Sequence, residues 1–148
     1  MSRLVEELKS DHVQLKQALK LAADFRRPAR ESVDMLHRVK TNLLEHLDKE
    51  NRELYPTLQA AAASDPSLRS LLSSFGKDME LIVPQALEFF ARYDDPDAVT
   101  GRIKSDVQYA VQFGADLERF IGLLGLRIGR EERTLYPQYD RVNSKKVA

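Results

Sequence analysis

Cysteine is absent from the 148 residues. That excludes disulfides, thiolate metal sites and thiol chemistry, and it fits a cytoplasmic address. Net charge is missing too. The 23 lysines and arginines balance 23 aspartates and glutamates, so no overall field draws the chain to nucleic acid or to an anionic membrane. Arg26-Arg27 and Lys145-Lys146 are short clusters and do not make a basic face. No run approaches the ~18 apolar residues of a membrane span, and the polar opening MSRLVEELKSDH does not read as a signal peptide. There is no Gly-x-Ser-x-Gly elbow and no phosphate-cradling glycine loop. Nucleophilic catalysis therefore has no candidate residue, and the chain is expected not to be an enzyme.

What is present reads as one globular domain over residues 1–148, with 43% hydrophobic and 31% charged residues. Helical periodicity runs through most of it, and no segment alternates cleanly as a strand would. A first helix is expected from Ser2 to Phe25, with Leu4, Leu8, His12, Leu15 and Leu19 on one stripe, ended by Arg26-Arg27-Pro28. A second opens near Glu31 or Ser32 and carries Leu36, Val39, Leu43, His46, Glu50 and Leu54 inward, with Tyr55-Pro56 marking a kink or break. Ser64-Asp65-Pro66 signals a third helix start. That helix runs to about Tyr93, with Leu72, Phe75, Met79, Ile82, Ala86 and Phe89 inward and a bend at Pro84. After the turn Asp94–Asp97 a long helical segment ends near Leu135. It is too long for the third helix, so it either begins with a short separate helix broken near Gly101 or Gly114, or it overhangs.

Five of the six glycines fall in that last segment. Each interior glycine costs about 1 kcal/mol relative to alanine. Gly122, Gly125 and Gly129 share a face, so either another helix approaches closely there or the helix is bent and irregular. An internal repeat is also visible. The segment from His46 through Glu50 to Leu54-Tyr55-Pro56 aligns without gaps on Arg127 through Glu131 to Leu135-Tyr136-Pro137. Two related helical hairpins make an all-α, up-down-up-down four-helix bundle the natural architecture.

His12, His46 and Glu50 stand out because they lie on apolar stripes, where a polar group is costly unless bound or paired. His46 and Glu50 are four residues apart and share a helix face. If the first two helices form an antiparallel hairpin, the two histidines sit about 20 and 21 Å from the turn and face each other at one level. Two imidazoles and a carboxylate suit iron, manganese or zinc. The third histidine, His37, lies one residue off its stripe and is expected at the surface.

The pattern Asp11-His12, then His46-x-x-x-Glu50 with Leu54-Tyr55-Pro56, then Glu131-Glu132-Arg-Thr-Leu135-Tyr136-Pro137, resembles the hemerythrin or HHE cation-binding domain over nearly the whole chain. The resemblance implies a di-iron centre inside the bundle, ligated by histidines from all four helices and bridging carboxylates. It also implies a role in binding oxygen, in storing or sensing iron, or in reporting redox state to a protein partner. By position it makes His12, His46, Glu50 and Glu131 the surviving ligands.

Two positions depart from the family pattern. The third helix offers Met79, a poor ligand for oxidised iron, and the fourth offers Arg127, which stays protonated. With three histidines the usual five-histidine site cannot form. The expectation is a reduced metal-binding or sensing site, or alternatively a metal-free relative whose Arg127 supplies the cation and whose bundle serves protein partners. A ferritin-like oxidase is disfavoured, since no histidine follows a glutamate by three residues. A homodimer is compatible with the glycine face.

Overall fold

The computed structural model describes residues 1–147. Among them the chain is helical nearly throughout: α1 (Arg3–Ala22), α2 (Ala29–Lys49), α3 (Tyr55–Ala62), α4 (Pro66–Arg92), α5 (Pro96–Ser105), α6 (Val107–Arg130) and α7 (Tyr136–Val147). Two π-helical turns, Glu50–Leu54 and Glu131–Leu135, join α2 to α3 and α6 to α7. Four long rods result, with α5 as a short extra helix before the last. The fold is a hemerythrin-like helical bundle.

Local chemistry sets the boundaries. Side chains of Ser2, Asp65, Asp95 and Asp106 each accept a hydrogen bond from a backbone N–H of the first helical turn that follows. Each satisfies a donor that a helix start leaves without an intrahelical partner. The first helix stops at Ala22, short of Phe25, because the Asp24 carboxylate captures the backbone N–H of Arg26 at 3.0 Å. Such a local side-chain bond competes with the helical ladder. The break in the final segment falls at Asp106, in extended geometry with φ −135° and ψ 105°, and not at a glycine. A separate α5 thus accounts for the surplus length.

The two π turns follow from the two prolines. Proline lacks an N–H, and its ring clashes with the carbonyl four residues back. Ahead of each proline the ladder widens by one residue: the Tyr55 N–H bonds to the Glu50 carbonyl, and the Tyr136 N–H to that of Glu131. The helical rod therefore continues through Tyr55-Pro56 without a break. α4 also continues through Pro84.

Some inward assignments shift. Val5 is buried where Leu4 is only half-buried, and Met79, Ile82 and Ala86 are half-buried. His37, expected at the surface, is half-buried as well. At Gly122 and Gly125 an added Cβ would meet nothing within 4 Å, so no helix among the described residues packs closely there.

The apolar interior is divided. One cluster holds Leu15, Leu19, Leu43, Phe113, Leu117 and Leu124; the other holds Val5, Leu8, Leu54, Leu58, Phe75 and Leu135. Between them, along every rod but α4, the sequence inserts polar residues: His12 on α1, His46 and Glu50 on the second rod, Arg127 and Glu131 on the last. This polar layer is the candidate site.

Candidate metal centre

All four expected ligands are buried, each no more than 3% exposed. The level argument for the two histidines is met, for their Nε2 atoms lie 3.2 Å apart. Glu131 Oε2 lies 3.3 Å from His12 Nε2 and 3.7 Å from His46 Nε2, and Glu50 Oε1 lies 3.5 Å from His46 Nε2. Ligands about 2.1 Å from a common ion stand about 3.0 Å apart at a right angle and about 3.4 Å at the tetrahedral angle. The observed separations fall near that range, and His12, His46 and Glu131 meet the geometric requirement for sharing one ion.

Burial without partners also points to an ion. Glu50 Oε1 has no well-formed hydrogen bond, its nearest partner being His46 Nε2 at 3.5 Å. A buried acid elsewhere in the same bundle, Asp116, is fully served by Tyr93, Arg92 and Gln112 at 2.5, 2.8 and 2.7 Å. An unsatisfied buried carboxylate oxygen calls for an explanation, and a cation supplies one.

His46 is oriented from behind. Its Nδ1 donates to Asp11 Oδ2 at 3.0 Å, and the Lys49 ammonium donates to the same oxygen at 3.1 Å. This carboxylate–imidazole pair fixes the ring and aims Nε2 at the centre, the usual support of a metal-bound histidine. The repeat reproduces the device in the other half. Lys49 aligns with Arg130, and Arg130 pairs with Asp78. Asp78 thus corresponds to Asp11, and Met79 to His12. An apolar cavity of about 50 Å³ lies between Met79, Ile82, Phe120 and Leu124 and the two imidazoles.

Arg127 occupies the place of His46 in that second half. Its side chain is 5% exposed. Its Nε donates to Glu131 Oε1 at 2.7 Å, one terminal nitrogen donates to the Tyr55 hydroxyl at 2.6 Å, and the guanidinium lies 4.5 Å over the Phe75 ring. The core-facing reading of Arg127 holds, with Glu131 as its carboxylate partner.

Protons and charges are distributed accordingly. Burial opposes the His46 imidazolium, but hydrogen bonds to Glu131, Glu50 and Asp11 outweigh it and hold the group up to about 10. Burial pushes Glu50 up to about 7, against the pull of His46 and with the help of the Glu131 charge. Burial acts the same way on Glu131, yet both imidazoles, Glu50 and Arg127 keep it well below the usual carboxylate range.

Sequence reasoning missed Tyr136 as part of the site. Its hydroxyl donates to Glu131 Oε2 at 2.6 Å and reaches Glu50 Oε2 at 3.0 Å and His12 Nε2 at 3.1 Å. Residues five apart on an α-helix point about 140° away from each other. Only the π turn brings Tyr136 beneath Glu131, and the proline after each tyrosine was the available signal.

A family model for the Hemerythrin HHE cation binding domain matches residues 3–139. The chain belongs to that family. Nothing matches it among the curated proteins or among the solved structures. Among the described residues no helix is long and apolar enough to cross a membrane.

Proposed function

We propose that this chain is a metal-binding and sensing module that holds a single ion through His12, His46, Glu50 and Glu131. In this reading the Arg127 guanidinium stands where the family places further ligands. The observation that carries it is the convergence of two imidazole nitrogens 3.2 Å apart with a Glu131 oxygen, beside which the buried Glu50 carboxylate stands 3.5 Å from His46 Nε2. Two neutral imidazoles and two carboxylates suit iron, manganese or zinc. Iron or manganese would bring redox chemistry to the site, whereas zinc would bring charge alone. Asp11 orients His46, Arg127 offsets the Glu131 charge, and the surrounding apolar clusters exclude water. The role inferred is binding, not turnover.

A metal-free reading has one specific observation in its favour. His46 as an imidazolium, with Arg127, neutralises the two buried carboxylates without any ion. Elemental analysis of purified protein, before and after reconstitution with each ion, separates the two readings. Near-stoichiometric metal that is lost in His46→Ala supports the first. No retained metal, and a melting temperature indifferent to chelator, would replace it with the second. Asp11→Asn is expected to weaken metal binding by about 10–100-fold while leaving helix content intact, read by competition against a chromophoric chelator.

A further inference from the structure

We propose that Tyr136 is itself a ligand of this centre, through its phenolate oxygen, and that the site takes ferric iron in preference to zinc. The inference rests on the one-ion reading above and adds to it a residue and an oxidation state.

Two carboxylate oxygens and an imidazole nitrogen crowd one hydroxyl that has a single proton to give. The hydroxyl lies 2.6 Å from Glu131 Oε2, 3.0 Å from Glu50 Oε2 and 3.1 Å from His12 Nε2, and His12 Nε2 in turn lies 3.2 Å from His46 Nε2 and 3.3 Å from Glu131 Oε2. Neighbouring donors that share one ion have edges of about this length. Tyr136 is wholly buried, and every hydrogen-bond partner of its hydroxyl is one of the proposed ligands.

The repeat supplies an internal control. Tyr55 is the counterpart of Tyr136, and its hydroxyl accepts from Arg127. Each tyrosine thus faces the charged group of the opposite half, a guanidinium in one case and the imidazole–carboxylate cluster in the other. Where the histidines survive, the tyrosine joins them.

In the metal-free chain, burial and the Glu131 and Glu50 carboxylates push the Tyr136 phenol well above its ordinary value, so only an ion that offsets those charges and polarises the oxygen displaces its proton. Of the ions that imidazole and carboxylate accept, strongly polarising ferric iron matches a phenolate oxygen best. On loading, the phenol O–H bond gives way to an O–Fe bond, the proton leaves with water shed by the ion, and no electron is transferred.

The test titrates the metal-free full chain with Fe(III) supplied as its nitrilotriacetate chelate. Visible absorption and resonance Raman follow the titration, and elemental analysis runs in parallel. The expected result is a tyrosinate-to-iron charge-transfer band that grows to one equivalent. It should persist in Tyr55→Phe and fall to baseline in Tyr136→Phe. Iron bound without the band, or a band surviving in Tyr136→Phe, overturns Tyr136 as ligand and leaves the one-ion reading standing. Zinc competing equally with ferric iron overturns the preference. No ion bound at all overturns both. If Tyr136→Phe fails to fold, iron bound to the wild type without the band still overturns Tyr136 as ligand.

Discussion

Arg127→Leu is expected to destabilise the metal-free chain by about 3–5 kcal/mol, the usual cost of stripping one partner from a buried ion pair. Among the described residues the guanidinium is the only cation bonded directly to Glu131 Oε1, at 2.7 Å, and both side chains are shielded from water. Leucine would leave that carboxylate in an apolar interior with only the imidazoles as counter-charge, and it would orphan the Tyr55 hydroxyl as well. Urea denaturation at neutral pH with chelator present measures the effect. One equivalent of metal ion should restore much of the loss, because ion binding selects the folded state. A cost below about 1 kcal/mol, as for exposed salt bridges, would mean that Arg127 does not supply the charge assigned to it.

The second large effect is in the pH profile of the metal-free protein. His46 rises from 6.5 to about 10 on folding, and Glu50 from 4.5 to about 7. A group whose folded value is raised holds its proton longer when folded, so its stabilisation is complete at low pH and lost as pH climbs through the folded value. Glu50 therefore loses its contribution between about 4.5 and about 7, and His46 between 6.5 and about 10. Glu131, held well below 4.5, acts in the opposite sense and loses its contribution only as pH falls beneath that value. Metal-free stability should peak on the acid side of neutrality and drop by a few kcal/mol toward pH 10. Metal competes with those same protons, so ion affinity should rise across the range in which apo stability falls. Chemical denaturation at stepped pH, with and without ion, gives both curves. Apo stability that climbs from pH 6 to pH 10 would refute the proton assignment.

The polar layer was legible because burying polar groups is costly: His12, His46 and Glu50 broke apolar stripes at matched heights, and the repeat marked Glu131 and Arg127. The bundle was legible from its period and its doubled hairpin. Tyr136 was not, since α-helical spacing directs it away from Glu131 and only the widened turn before Pro137 returns it. The break at Asp106 was obscured by glycines nearby that suggested a weaker helix, although an aspartate cap was the operative signal. The first helix ends early because the Asp24 carboxylate accepts a hydrogen bond from the Arg26 N–H, which periodicity does not record. The open face at Gly122 and Gly125 shows that a glycine stripe by itself does not tell where a neighbour lies.

The two widened turns also link the centre to one end of the bundle. Each begins at a carboxylate of the centre and leads straight into α3 or α7, and these two terminal segments rest on each other. The backbones that carry Glu50 and Glu131 are thus continuous with the two segments that pair at that end of the bundle.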